Sequence, residues 1–238
     1  MLRFMEPEPP TQGRTAAILV TLAEAAISAV PIVGGPVATL LTAGVGGVVN
    51  RRLTDWFAEL ARDVDQLAAR VDELQPERLA DSDAFADAVM TAARIVEKTS
   101  QQEKLDALRN AVVNSVLPRA PDADYRASFF AIVDDLTPTH LRLLMLLDNA
   151  QSYFDARTEL LLPEPGPSAT AYELVAAALP KLLGDEFADK FFADLSRNGL
   201  VSTDSLRATM VSDRSWYRAT SAYGRYFLAF IAEPVVPE

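Results

Sequence analysis

The chain has 238 residues, of which 50% are apolar, and its formal net charge at pH 7 is −11. This size and apolar content allow one large domain or two smaller ones, each with its own core. The negative charge argues against a general affinity for nucleic acid, which needs clustered Lys and Arg, and the lack of cysteine in the sequence excludes disulfides, thiolate catalysis and cysteine-held metals.

The chain begins with an acidic, proline-rich segment, which predicts a flexible arm over residues 1–14. This segment lacks the basic start and the small-residue cleavage site of a secretory signal, so we expect a cytoplasmic protein. The richness of the whole chain in Ala, Asp and Arg is typical of a bacterial protein.

Residues 15–50 are the most apolar part of the chain, with a single charge at Glu24. Two prolines and two glycines lie close together in the middle of this stretch, where they disfavour a helix. The sequence therefore predicts a hairpin of two helices, Ala16–Val30 and Val37–Val49. The residues expected to form it are Leu19, Leu22, Ile27, Pro31, Gly34, Gly35, Pro36, Leu40, Leu41, Gly44 and Gly47.

Two environments can accommodate this apolar hairpin. It can be the buried centre of a helical bundle, which the charge on Glu24 favours, since an unpaired carboxylate is costly in hydrocarbon. Alternatively, it can enter a membrane, although each arm is shorter than the roughly 20 residues of a membrane-spanning helix. The sequence leaves both possibilities open.

The segment after the hairpin has a heptad pattern, with apolar residues at alternating spacings of four and three. The predicted helix–helix interface comprises Leu53, Phe57, Leu60, Val64, Leu67, Val71 and Leu74. We expect one amphipathic helix that ends before Pro76 and packs either within its own bundle or, as a coiled coil, against a second copy. Two further periodic segments run from Ser82 to Thr99 and from Ser100 to Pro118, and could enclose the hairpin.

The C-terminal region, residues 121–238, mixes helical and extended patterns. Thr137 and Pro138 are typical of a helix start, and further helices are predicted over 171–183 and from Phe187 to a left-handed cap at Gly199. Two short strands are expected at 200–203 and 206–211, before a last helix over 219–232.

This order of elements resembles a winged-helix domain covering roughly residues 125–238. The resemblance lies in DLTPTHLRLLMLL as the first core helix, FFADLSRNGLV as the third helix leading into the wing, and ATSAYGRYFLAFI at the end. The last segment is similar to the end of uncharacterised bacterial helical proteins. We therefore expect a mainly α fold, with a helical bundle around the apolar N-terminal hairpin (15–120) followed by a winged-helix-like α+β domain (121–238).

A DNA-binding winged helix would present basic side chains on its third helix. Here acidic residues outnumber basic ones in that helix, namely Asp185, Glu186, Asp189 and Asp194 against Lys190 and Arg197. The resemblance therefore implies a protein-docking module or a lid, and we expect no nucleic-acid partner.

The sequence contains no recognisable catalytic or cofactor motif. The glycine-rich stretch around Gly34 and Gly47 lacks the Lys-Ser or Lys-Thr pair of a phosphate loop, and His140 is the only histidine. We therefore expect no catalytic, cofactor-binding or metal-binding residues, and a protein that is not an enzyme.

Two functions remain. In the first, the apolar hairpin is membrane-active or membrane-associating, and the architecture is similar to that of helical cytolysins, which suggests a pore-forming or defence-type effector located in the cytoplasm or peripheral to the inner membrane. In the second, the chain is a soluble cytoplasmic scaffold or adaptor. It would form homo-oligomers through its heptad helix, or bind a protein partner through its acidic C-terminal domain.

Overall fold

A computed structural model of the chain describes residues 17, 19, 21, 36–184, 187–212 and 215–235, with the side chains of 36–46, 183–184 and 212 outside the description. The expected mainly helical fold is confirmed. The chain divides into a first unit, Met1–Phe130 with Ile231–Glu238, and a second unit, Ala131–Phe230.

The described part of the first unit is built from α-helices and one short 3-10 helix. Its elements are α1 (Pro36–Ala68), the 3-10 helix (Asp72–Leu74), α2 (Pro76–Ala80), α3 (Asp83–Val96), α4 (Gln102–Asn114) and the start of α5 (Ala123–Asp135). Residues 17, 19 and 21 also have helical backbone. Ser82 caps α3 by accepting a hydrogen bond from the Phe85 amide at 3.2 Å.

Helix α1 is continuous where the sequence predicted two separate helices. Its 33 residues join the second apolar arm to the first part of the heptad segment. Between Val48 and Ala68 there is no proline or glycine, so nothing in the sequence interrupts the helix at Arg51. Pro36 is its first residue, where a proline is well tolerated.

The heptad helix also ends earlier than predicted. Helix α1 stops at Ala68, and the chain turns before the 3-10 helix instead of continuing to Leu74. The side-chain amide of Gln75 donates to the carbonyl of Ala68, which satisfies one of the open carbonyls at the helix end. Val71 and Leu74 are nevertheless buried, so the apolar spacing marks burial beyond the end of the helix.

Helices α1, α3 and α4 pack against one another and form the core of the first unit. The buried side chains are Leu53, Trp56, Phe57, Leu60 and Val64 from α1, Phe85, Val89, Ala92 and Val96 from α3, and Leu105, Leu108 and Val112 from α4. Burying these residues away from water supplies most of the favourable free energy of folding of such a unit.

The last residues of the chain, from Ile231 onward, belong to the first unit and not to the second unit. The side-chain amides of Asn110 and Asn114 donate to the carbonyls of Ile231 and Ala232 at 3.0 and 2.9 Å. The division between the units therefore lies at Phe130 and again at Ile231, whereas the sequence suggested a single boundary after residue 120.

The second unit combines six helices with one β-hairpin among its described residues. After the end of α5 come α6 (Pro138–Asp148), α7 (Ala150–Asp155), α8 (Ala171–Ala178), α9 (Pro180–Gly184), α10 (Phe187–Arg197), β1 (Val211–Ser212), β2 (Ser215–Trp216) and α11 (Ala222–Ile231, whose last residue is in the first unit). The strands are antiparallel, with Val211 opposite Trp216. Isolated bridges join Thr170 to Thr209 and Val201 to Thr220.

Three boundaries in this region differ from the predicted ones. Pro180 cannot continue the helix expected over 171–183, so α8 ends at Ala178 and α9 begins at the proline. The strand expected at 200–203 is a single bridge at Val201, and within 206–211 only Thr209 forms a bridge before the hairpin begins at Val211. The last helix starts at Ala222 and not at residue 219, because the amide of Ala219 bonds to the carbonyl of Leu147 at 2.8 Å.

Two local predictions are confirmed. Thr137 and Pro138 begin α6, where Thr137 forms a capping box with the side chain of His140. Gly199 has φ 68° and ends α10 in the left-handed conformation that glycine adopts most easily.

Candidate functional site

The candidate site is a groove between α1 and the start of α4, next to the first buried side chains among the described ones of α1. Its volume is about 360 Å³. We call it the junction groove, and it is lined by Val48, Arg51, Arg52, Asp55, Trp56 and Glu59 of α1 and by Ser100, Gln102 and Leu105 at the start of α4.

The groove separates two chemically different parts of α1. Residues 36–49 contain no charged side chain, whereas charges begin at Arg51. Leu53 and Trp56 are each 1% exposed, while Val48 is 53% exposed. The space beside Gly47 is also open, since a methyl group added there would meet nothing within 4 Å. Leu53 is thus the first buried side chain among the described ones of α1, while Val49 and Arg52 before it are half-buried and the other residues from 47 to 51 are exposed.

Arg52 fastens α1 to the end of α3. Its Nη1 donates to the carbonyls of Val96 and Glu97, both at 3.2 Å. These carbonyls belong to the C-terminal turn of α3, where a cation is favoured by the helix dipole and by the unpaired carbonyl groups. Arg52 therefore holds a fixed position at the base of the groove.

Trp56 fastens the same part of α1 to α4. Its indole Nε1 donates to the carbonyl of Leu105 at 3.1 Å, and its ring meets that of Phe57 edge to face at 5.2 Å. A buried tryptophan needs such a partner for its N–H, and the pair of contacts fixes the ring.

Arg109 of α4 provides a third connection to α1. Its guanidinium bonds to Glu59 at 2.5 Å, to Asp63 at 2.9 Å and to Asp106 at 2.8 Å. The Arg109 side chain is only 15% exposed, so water screens these interactions less than at an open surface. Together, Arg52, Trp56 and Arg109 attach the charged part of α1, residues 51–68, to α3 and α4, and we call this part of α1 the platform.

Arg51 and Asp55 differ from these anchored residues. Both are exposed on α1, one helical turn apart, and the side chain of neither forms an ion pair or a hydrogen bond with any residue that the structure describes. Among the described residues, Arg51 and Asp55 are therefore the cation and the carboxylate of the junction groove whose side chains have no bonded partner.

The structure describes the predicted hairpin residues only in part. Leu19 is 1% exposed, and Gly47 is exposed on α1. Pro36, Leu40, Leu41 and Gly44 lie in α1 with side chains outside the description, and Leu22, Ile27, Pro31, Gly34 and Gly35 lie outside the described residues altogether. In the described part of the chain, no helix combines the length and hydropathy needed to cross a membrane.

The predicted helix–helix interface lies within the first unit. Buried there are Leu53, Phe57, Leu60, Val64, Val71 and Leu74. Leu67 is half-buried and lines a shallow cleft with Arg109 and Glu233. The heptad seam therefore meets helices of its own chain.

The second unit contains a buried polar cluster around His140, which is 7% exposed. Its Nδ1 accepts a hydrogen bond from the Thr137 amide at 3.1 Å, and its Nε2 lies 3.4 Å from Asp194. Asp194 also pairs with Lys190 at 2.6 Å and with Arg197. Since two cations compensate the carboxylate, the cluster connects α6 to α10 and does not present a free base.

A second groove, of about 490 Å³, lies in the second unit between the proline-containing loop at residues 162–165 and β2. It is lined by Pro163, Pro165, Trp216 and Tyr217, among others. The indole of Trp216 donates to the carbonyl of Pro163 at 3.0 Å, which fixes the loop against the ring.

Among the described residues, no three His, Asp or Glu side chains are grouped so that they could hold a metal ion.

The sequence analysis missed the junction groove. Its signal is present in the sequence as two arginines directly after an uncharged run, followed one turn later by Asp55. The contribution of Ser100 and Gln102 depends on tertiary packing and has no local signal.

No protein-family model, curated protein or solved structure matches the chain, so its function has to be inferred from its own chemistry.

Proposed function

We propose that this chain is a non-enzymatic bacterial protein that associates with a membrane through the uncharged segment before Arg51, as a pore-forming or defence-type effector. The observation that carries this proposal is the continuity of α1. One helix connects the uncharged residues 36–49 to the platform held by Arg52, Trp56 and Arg109. The proposal places the protein in the cytoplasm and at the surface of the inner membrane.

The length of the uncharged part suits insertion into one leaflet. At 1.5 Å per residue, residues 36–49 span about 20 Å, less than the roughly 30 Å of a hydrocarbon core. A helix of this kind can bury its apolar side chains in the headgroup and acyl region without crossing the bilayer. The exposed Val48 and the charged Arg51 then mark the level at which the helix leaves the lipid.

Vesicle flotation and dye release test this proposal. We expect the full chain to float with liposomes and Leu40→Asp to abolish both flotation and leakage, because a charge in hydrocarbon costs several kcal/mol. The matched control is Ala58→Asp, which places the same charge at an exposed position of the platform. Both variants should keep the helicity and the melting temperature of the wild type.

Two results would contradict the membrane proposal. In one, the wild type fails to float at any pH or lipid composition. In the other, Leu40→Asp lowers the melting temperature by about 10 °C or more, as expected for a charge placed in a protein core. The second result would favour the buried-hairpin interpretation of residues 15–50.

We also infer that the second unit is a winged-helix-like domain. In support, α6, α8 and α10 precede the β1–β2 hairpin, and α11 follows it. The cations of α10 are engaged, since Lys190 and Arg197 pair with Asp194, while Arg207 pairs with Asp189 at 3.1 Å. Such a surface suits contact with a protein better than contact with a phosphate backbone.

The groove beside Trp216 favours a second candidate function, that of an adaptor. Tyr217 is 40% exposed at the groove, which offers an aromatic surface to a protein segment. Because all of the heptad residues except Leu67 are buried in the first unit, self-association would have to use another surface. Light scattering at high concentration tests for homo-oligomers. A strictly monomeric chain would rule out an oligomeric scaffold and leave an adaptor that binds a different protein.

A further inference from the structure

We infer that the junction groove binds the headgroup of a zwitterionic aminophospholipid of the phosphatidylethanolamine type, with the phosphate at Arg51 and the ammonium group at Asp55. This inference rests on the proposed membrane association and names the lipid that the groove recognises. It follows from the order, the availability and the balance of the charges in the groove.

The order of chemical groups along α1 matches their order in a phospholipid. Going away from the uncharged segment, the groove offers the exposed Val48, then Arg51 and Arg52, then Asp55. These positions share a helix face, and the step from Arg51 to Asp55 rises about 6 Å. In the lipid, the acyl chains are followed by the phosphate, and the ammonium group is attached to the phosphate through two carbons.

The two charges are available because they do not neutralise each other. Arg51 precedes Asp55 by four residues, and this is the weaker orientation of such a helical pair. Neither residue has an ion-pair partner among the described residues. An arginine can bind two oxygens of one phosphate, which favours it over a lysine at this place.

The balance of charge favours a zwitterion over an anionic headgroup. Two arginines and two carboxylates line the groove. Arg52 is bonded to the carbonyls of Val96 and Glu97, and Glu59 is held by Arg109 at 2.5 Å, which leaves Arg51 and Asp55 as the cation and the carboxylate that face a ligand. An anionic headgroup without an ammonium group would meet the negative charge of Asp55 without compensation. A phosphatidylcholine headgroup carries a quaternary ammonium group, which has no N–H to donate to a carboxylate.

The test compares the full chain on three kinds of vesicle: phosphatidylcholine alone, and equimolar mixtures of phosphatidylcholine with phosphatidylethanolamine or with phosphatidylglycerol. We expect the tightest binding to the ethanolamine mixture. Asp55→Asn should lower the preference for the ethanolamine mixture about fivefold, which corresponds to the loss of one exposed charge-assisted contact of about 1 kcal/mol. Arg51→Gln should weaken binding to all three by a similar factor, because the phosphate is common to them.

Matched variants separate these effects from a general change of charge. Asp87→Asn and Arg70→Gln alter exposed charges of the first unit outside the groove, and both should bind like the wild type. Circular dichroism and melting temperature show that every variant is folded. The inference is overturned if Asp55→Asn keeps the ethanolamine preference, or if Arg51→Gln and Arg70→Gln bind alike.

The outcomes also distinguish this inference from the proposed function. If the wild type binds vesicles without any headgroup preference, the membrane proposal stands and the headgroup site is wrong. If it binds no vesicle, the membrane proposal fails. Titration with soluble glycerophosphoethanolamine then shows whether the groove binds the headgroup by itself. Saturable binding that Asp55→Asn weakens would then support the site, and no binding would overturn it.

Discussion

Arg109 connects α1 and α4 through ion pairs. It meets three carboxylates whose side chains are 36 to 44% exposed, while its own is 15% exposed. Removal of the guanidinium leaves Glu59, Asp63 and Asp106 close together without a cation. Water can solvate them in part, so the loss is smaller than for a fully buried pair.

We predict that Arg109→Met lowers the free energy of unfolding by about 2 kcal/mol, measured by urea denaturation. The control is Arg62→Met, since Arg62 is 68% exposed and lies 3.9 Å from Glu59. That variant should change stability by less than about 0.5 kcal/mol. Equal effects of the two substitutions would show that the Arg109 network contributes no more than an ordinary surface pair.

Gly224 is required by a close backbone contact. A Cβ added there would lie 2.0 Å from the carbonyl oxygen of Leu200, which is main chain and cannot move as a side chain would. We predict that Gly224→Ala lowers the free energy of unfolding by about 2 to 3 kcal/mol. Gly166→Ala is the control, because its added methyl group would meet nothing within 4 Å. A neutral Gly224→Ala would contradict the observed approach of α11 to residue 200.

At the scale of elements, the continuity of α1 is the feature with a direct functional test. Asn50 lies between the uncharged residues and the platform, and a proline there would remove a helical hydrogen bond and clash with the preceding turn. We predict that Asn50→Pro lowers vesicle binding and leakage about tenfold, while the melting temperature stays within about 3 °C. Among the described side chains of α1, the first buried one is Leu53, three residues after Asn50.

Asn50→Ala is the control for that variant, since it retains a helix-forming residue at the same exposed position. It should bind vesicles like the wild type. If Asn50→Pro binds equally well, a rigid connection between the two parts of α1 is unnecessary, and the uncharged segment acts as an independent anchor.

Elements could be predicted from the sequence where a local rule decides them. The cap at Thr137 and the turn at Gly199 follow from side-chain and backbone chemistry within a few residues. The length of α1 could not be predicted in this way, because the same heptad spacing continues through Val71 after the helix has ended. Apolar spacing reports which residues are buried, and tertiary contacts decide where the chain turns.

At the scale of the whole molecule, net charge sets the response to salt. The chain carries −11 at pH 7, so an anionic bilayer should repel it at low ionic strength. We predict that binding to phosphatidylglycerol-containing vesicles rises severalfold as salt increases, since the screening length falls from about 30 Å at 0.01 M to about 8 Å at 0.15 M. Binding to the phosphatidylethanolamine mixture should change little. A decrease with salt on both vesicle types would instead indicate attraction by basic residues.

The organisation of the whole chain was predictable only in outline. A mainly helical chain follows from periodicity and composition, but the grouping of Ile231 and Ala232 with the first unit depends on two asparagine amides of α4. Such long-range hydrogen bonds have no signature in a single sequence. The junction groove is similar, because its α1 residues form a local pattern while Ser100 and Gln102 join them only through packing.

The bonds from Asn110 and Asn114 to the last described turn of the chain also have a consequence for synthesis. The first unit cannot acquire them until Ile231 and Ala232 have left the ribosome. At about 5 to 20 residues per second, the interval after the uncharged segment has been translated is on the order of ten seconds or more. During that interval the most apolar part of the nascent chain has emerged before its unit is complete, which gives chaperones and membrane surfaces their earliest access to it.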